Sequence, residues 1–364
     1  MNMMKETNRS DHPNIVAIGG GTGLSTMLRG LKSYTDHITA VVSVADDGGG
    51  SGMLRRDLHM LPPGDIRNCI LALAKTEPVM ERLLQCRFRQ GSLRGQNFGN
   101  LFLAAMNEIF DGDFVKAVQN VNEVLRVQGE VLPVTATDVE LAAELDDGEQ
   151  VIGESTIGHS ASDKNRIKRI WLQHKNPMHQ EPITMIPEVA EAIAKADLIT
   201  LGPGSLYTSI LPNLVVPGVA SAIRDSHAPV LYINNIMTQP GETDGYTAFD
   251  HVQAILDHTG ADFLDYCIVN QQPINTPLLS KYMEQDAEAV VLDEERFAKT
   301  KIKWIKRDLV GIYQNRYIRH DVEVLADTIF DVLRYVRLYD RELVSEEGVR
   351  LYRPARRRNQ ENRK

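Results

Sequence analysis

The chain of 364 residues carries 40 Lys and Arg against 49 Asp and Glu, a formal net charge of -9, and 43% hydrophobic residues. That acidic balance argues against bulk binding to nucleic acid or a membrane surface, which needs a basic face. Its three cysteines, Cys69, Cys86 and Cys267, supply neither a disulfide framework nor a zinc ribbon, and a reducing compartment fits them best.

Met1 to Pro13 is polar and lacks the apolar core of a secretory signal, and no apolar run approaches the roughly 20 residues of a membrane helix. The expectation is a cytoplasmic protein with a disordered arm over 1–13, no membrane span and no nucleic-acid partner. Asn14 to Ile18 is an apolar run that predicts a buried parallel strand. Leu24, Met27, Leu28 and Leu31 fall on one face of a helix, and Ile38 to Ala45 predicts the next strand. The chain therefore opens with a βαβ unit. Further helices are predicted over Asp65–Lys75, Asn97–Ile109 and Asp113–Val127. Val139 to Gly153 predicts two short strands around Asp147-Gly148, a hairpin signal. With Ile167 to Leu172 they form an expected peripheral β insert over 131–175.

The alternation then resumes. A helix is predicted over Pro187–Ala196, a strand over Leu198–Leu201, a strand over Pro229–Ile236, a helix over Phe249–His258 and a strand over Phe263–Val269. Val322, Leu325, Ile329, Leu333 and Val336 mark a long amphipathic helix. The fold class expected is α/β: a Rossmann-like, doubly wound, mostly parallel sheet with a small antiparallel insert, in a single domain over 14–340. The tail over 341–364 is basic; from Arg353 to Lys364 it holds six basic residues and one acidic residue. A solvated end is its plain reading and an anion-binding tail the alternative.

Chemistry concentrates on glycine-rich loops. Gly19-Gly20-Gly21-Thr22-Gly23 joins the first strand to the first helix, where free N–H groups and the helix dipole suit a phosphate. Gly20, Gly21, Thr22 and Gly23 are the candidate cradle. The dinucleotide pattern is not met, because Leu24 stands where its third glycine belongs, so NAD is disfavoured; no lysine makes a Walker loop. Asp46 and Asp47 end the second strand, where a carboxylate accepts a ribose hydroxyl or holds Mg²⁺ together with phosphates. Arg55 and Arg56 follow within reach of a phosphate. Asp65 opens the next helix, as a cap or a ligand contact, and Asn97 and Asn100 sit in a second glycine-rich helix entry with the same two roles. Gly204 and Ser205 repeat the strand–glycine–helix logic, without the elbow of a serine nucleophile. The polar loop from Asn234 to Gly245 either closes over the same crevice or is an ordinary loop. Arg319 either reaches a phosphate or is simply exposed. The ten histidines form no familiar zinc motif.

The segments IVAIGGGTGLS, VVSVADDGGGSGMLR, PPGDIRN, GPGSLYTSILPNL and MTQPGETDGYTAFDH together resemble the bacterial gluconeogenesis factor family, which is similar in fold to 2-phospho-L-lactate transferase. The resemblance runs from about Asn14 to Val336. It implies a core that binds UDP-sugars such as UDP-N-acetylglucosamine. It also implies a regulatory role in cell shape and peptidoglycan precursor supply during gluconeogenic growth, with an enzyme of amino-sugar synthesis as the regulated partner. By motif match the ligand would meet Gly20 to Thr22, Asp46, Asp47, Asn97 to Asn100, Gly204, Ser205 and Arg319. Three functions stay open at this point: a nucleotide-sugar sensor without turnover, a Mg²⁺-dependent transferase of a phospho-linked group, and, weakest, an NAD-dependent oxidoreductase. A homo-oligomer is compatible with each of the three.

Overall fold

The structure, a computed structural model, describes residues 12–162, 165–313 and 317–341. The expected arm up to residue 11 and the basic tail from residue 342 lie outside the described residues. In chain order the elements begin β1 (Ile15–Gly19), α1 (Gly21–Leu31), β2 (Ile38–Val42), α2 (Gly49–Leu58), α3 (Gly64–Leu73), α4 (Pro78–Leu84), α5 (Phe98–Ile109), α6 (Phe114–Val124) and β3 (Glu130–Pro133). Then come β4 (Val139–Leu145), β5 (Gln150–Ile152), α7 (Glu154–Ile157), β6 (Ile167–His174), α8 (Pro187–Lys195), β7 (Leu198–Leu201), a π-helical turn (Leu206–Ile210), α9 (Leu211–Leu214) and α10 (Val219–Asp225). The chain continues through β8 (Val230–Ile233), α11 (Ala248–Thr259), β9 (Tyr266–Asn270), α12 (Thr276–Met283), α13 (Glu294–Phe297), β10 (Lys303–Arg307), β11 (Val310–Tyr313), β12 (Tyr317–His320) and α14 (Val322–Arg341).

Seven strands form one sheet in the order β10-β9-β8-β7-β1-β2-β3, and every neighbouring pair in it is parallel. A parallel sheet is covered on both faces, so its strands are apolar throughout; all five residues of β1 are buried. Alternate side chains feed opposite layers, as the pleat requires. Ile15 and Ala17 join a core with α1, α3, α5, α6 and α14, while Val16 and Ile18 join one with α8, α9, α10 and α11. The chain winds outward from β1 to β3, returns to β7 beside β1, and winds outward again. Between β1 and β7 the order reverses, which is where open α/β sheets leave a crevice at the carboxyl ends of the strands.

The antiparallel insert is a sheet in the order β5-β4-β6. It starts later than the expected 131–175, because β3 pairs in parallel with β2 through Val131–Ala40 and Leu132–Val41 and so belongs to the main sheet. Leu141, Ala143 and Leu145 of β4 pack into the second core, which seats the insert on the layer that also carries α7. Among the described residues no single helix is long and apolar enough to cross a membrane.

Candidate functional site

The reversal point holds a cavity of about 410 Å³, within the roughly 300–1,000 Å³ of small-ligand clefts. Its floor is the β1–α1 loop, Gly20 to Gly23, facing the β7 loop, Pro203 to Ser205. The loop after β8, Asn235 to Pro240, forms one wall, and Ile318 to His320 of β12 another. The sequence thus brings Gly20, Gly21, Thr22, Gly23, Gly204, Ser205 and Arg319 together around one space.

Backbone needs explain the glycines. Gly21 has φ +65°, a left-handed conformation that a side chain disfavours. A Cβ on Gly23 would stand 2.5 Å from the Pro203 carbonyl oxygen, so only glycine lets the two loops meet at this distance. Ser205 is spent on the scaffold: its Oγ donates to Gln239 Oε1 at 2.6 Å, tying the β7 loop to the loop after β8. Glu242 holds the following turn. It is buried and accepts from Tyr207 N at 2.6 Å and Thr208 N at 3.3 Å. Burial pushes its carboxyl up to about 7 against the pull of those N–H groups. No carboxylate pairs with Arg319 among the described residues, so its guanidinium is available to an anion in the cavity.

Asp65 does not cap its own helix, whose N-cap is Pro63 with no side-chain capping bond. Its Oδ2 accepts from Gly21 N at 2.6 Å, on the α1 N-terminus where a phosphate is expected. Burial, then the charge of Asp46, raises its carboxyl to about 6, opposed by the Gly21 N–H. Asp46 is likewise raised, by burial first, while Gly48 N–H and Ser51 counteract. Glu154, from α7 in the insert, is raised to about 8 by burial and then by the charges of Asp46, Asp47 and Asp65. Nothing at sequence level joined Glu154 to Asp46, because the contact depends on how the insert docks. The Asp46–Asp47 pair is split: Asp46 faces Asp65, whereas Asp47 Oδ1 accepts from Ser155 N at 2.9 Å and caps α7.

Other expected contacts lie elsewhere. Asn97 is the N-cap of α5, accepting from Asn100 N at 3.2 Å and donating to Gln85 O at 3.1 Å. Asn100 Oδ1 accepts from Arg67 at 2.6 Å. Both are buried, and neither lines the cavity. Arg55 is spent inside the protein: its side chain is buried, paired with Asp138 at 2.6 Å, donates to Asp46 O at 3.3 Å and to Val139 O, and does not line the cavity. His251 and His258 serve the core, bonded to Thr247 O and Ala254 O of their own helix. Residues that composition hid, Gln285 and Tyr282 of the α12 region and Met237, also line the cavity; they carry no motif by which to find them.

Residues 15–310 match the family described as 2-phospho-L-lactate transferase CofD. The gluconeogenesis factor of Bacillus subtilis is 47% identical over 323 residues, spanning 88% of this chain and 98% of the relative. That of Halalkalibacterium halodurans is 46% identical over 319 residues, 87% of this chain and 96% of the relative. A crystal structure of a member of the UPF0052 family from Bacillus halodurans superposes with a TM-score of 0.81 at 45% identity, covering 87% of this chain and 99% of that one. With its sheet, its reversal-point cleft and these relatives in agreement, the chain belongs to the 2-phospho-L-lactate transferase CofD family, among its gluconeogenesis factors.

Proposed function

We propose that the cavity binds a UDP-sugar of the UDP-N-acetylglucosamine kind, and that occupancy is a regulatory signal that supports peptidoglycan precursor supply and cell shape during gluconeogenic growth. The observation that carries the reading is the 410 Å³ cavity at the sheet's reversal point, floored by the β1 glycines and faced by Arg319. A diphosphate fits helix N–H groups on one side and a guanidinium on the other. Titration calorimetry with UDP-sugars, NAD, GTP and inorganic phosphate tests it. UDP-sugars should bind and Arg319→Ala should weaken them about tenfold or more, the loss of a charge-assisted hydrogen bond. No heat at millimolar UDP-sugar ends this reading.

A second reading, a transferase of a phospho-linked group, has one observation in its favour. Asp65 occupies the Gly21 N–H, so a diphosphate arriving there meets carboxylates. A divalent cation would remove that repulsion. The donors are hard oxygens, suited to Mg²⁺, which takes one or two carboxylates and completes its shell with phosphate and water. Asp46 and Asp65 are the residues that would hold it. Asp46, Asp47, Asp65 and Glu154 do not bring three ligand atoms within 4.8 Å of one another, which fits a cation shared with a ligand better than an all-protein cage. When bound, the ion would supply charge neutralisation at the phosphates; Glu154, protonated near neutral pH, would add no further negative charge.

A further inference from the structure

Outside the cleft, at the end of β6, the chain turns and brings three zinc-type donors together. Met178 N donates to Asn176 Oδ1 at 3.1 Å, and His179 N donates to Asn176 O at 3.0 Å. That turn folds His179 and Glu181 back over His174. One ligand atom from each of His174, His179 and Glu181 lies within 4.8 Å of the others, alone in doing so among the described residues. We propose that His174, His179 and Glu181 bind one transition-metal dication of the zinc type, pinning the segment between β6 and α8.

Two details set the cluster apart from a chance surface grouping. His174 Nε2 lies 2.7 Å from the Glu181 carbonyl oxygen. That oxygen only accepts, so Nε2 carries the proton and Nδ1 presents its lone pair. A metal-bound histidine characteristically donates its other ring N–H to a carbonyl in this way. His174 Nδ1 is also shut off from solvent with no hydrogen-bond partner, although a buried ring nitrogen ordinarily finds one. Ligands about 2.1 Å from a tetrahedral zinc stand roughly 3.4 Å apart. His179 Nδ1 lies 3.0 Å from Glu181 Oε1, a hydrogen bond whose proton the metal would displace, and His174 Nδ1 and Glu181 Oε1 are 4.0 Å apart. The two edges to Glu181 need a side-chain adjustment of well under 1 Å, and the His174–His179 edge lies within 4.8 Å. His179 and Glu181 are more than half exposed, which gives the ion an entry path and leaves the fourth position to water. Two neutral imidazoles and one carboxylate are a donor set that zinc accepts.

The test uses the full chain, free of any histidine tag and stripped with a chelator, titrated with Zn²⁺ alone. The bound metal is counted by mass spectrometry after desalting, and Co²⁺ serves as an absorption probe of four-coordination. The wild type should retain a single Zn²⁺ per chain and melt higher with it, because a ligand of the folded state stabilises by mass action. His179→Ala and Glu181→Gln should each weaken binding by about tenfold or more, the lower bound even for changes behind the ligands. Because both side chains are exposed, both variants should melt like wild type in chelator, which separates lost coordination from lost folding. An Asp46→Asn, Asp65→Asn variant should keep the ion. The proposal is overturned if both loop variants bind Zn²⁺ as wild type does, if only the Asp46, Asp65 variant loses it, or if the wild type retains none at micromolar metal.

Discussion

Asp65 is the residue on which the chemistry of the cleft turns. Its carboxylate sits on the Gly21 N–H, a contact between positions 44 apart in sequence. A helix cap was therefore the most that spacing could suggest. The glycines, by contrast, were legible from sequence because a strand ending in five small residues before a helix has few uses other than close approach. At Gly21, with φ +65°, that close approach is also a backbone requirement. A side chain in that conformation costs about 1–3 kcal/mol, so Gly21→Ala should lower the denaturation midpoint as well as ligand affinity; unchanged stability would mean the loop relaxes. The carboxyl cluster gives a pH signature. Glu154 at about 8 and Glu242 at about 7 lie above their unfolded values near 4.3. The folded state thus holds more protons, and stability falls as pH rises through those values. His251 and His320, lowered to about 4 by burial, act oppositely, but only between about pH 4 and their unfolded value near 6.5. His258, also lowered by burial, acts with them; their opposition fades above their unfolded value, and the raised carboxyls dominate from about pH 7 to 8. Melting of metal-free protein should fall across that window, and Glu154→Gln should flatten its upper half. A flat wild-type profile would contradict the buried, mutually repelling cluster.

At the scale of elements, helices whose apolar residues recur every three or four positions were found from sequence, and those without that signal were not. The final helix is an example of the first: Leu325, Ile329 and Leu333 are all buried. Helix α2 is an example of the second. Its first four residues are Gly-Gly-Ser-Gly, poor helix formers, so propensity indicated a loop; packing of Leu54 and the buried Arg55–Asp138 pair override it. Edge strand β10 carries Lys303, Lys306 and Arg307, and charge of that kind masks a strand while it protects the sheet edge. The turn from Leu206 to Ile210 rests on Glu242, which satisfies Tyr207 N and Thr208 N. Glu242→Ala should strand both donors at about 1–3 kcal/mol each, whereas Glu242→Gln keeps an acceptor and should cost about 1 kcal/mol. Urea denaturation of the two variants separates them. Equal midpoints would show that water replaces the carboxyl, and that this loop is not what holds Gly204 and Ser205 in place.

For the whole molecule, the βα alternation predicted the fold class, because a parallel sheet leaves a chain few routes between strands. Two things stayed hidden: the order of strands and the docking of the insert. Both are set by contacts far apart in sequence. The strand order places the β1 and β7 loops at one reversal point, and the docking carries Glu154 to Asp46 and Asp65. Sensor and transferase share the cleft and differ in what happens after binding. A transferase needs its acceptor positioned and the phosphate charge neutralised, without a covalent nucleophile, so the missing serine elbow does not decide between them. Turnover does. The cleft protein, Mg²⁺ and nucleotide donors are to be incubated with candidate acceptors, and donor consumption followed by mass spectrometry. The sensor reading expects stoichiometric binding, an Mg²⁺-dependent affinity that drops in Asp46→Asn, Asp65→Asn, and donor that stays intact over many protein equivalents. Repeated donor consumption that disappears in the same double variant would promote the transferase and make the carboxylate cluster part of its chemistry. Affinity unchanged by chelator would remove the cation from both accounts and leave Asp65, its carboxyl raised to about 6, as a charged neighbour that the ligand's phosphates meet directly.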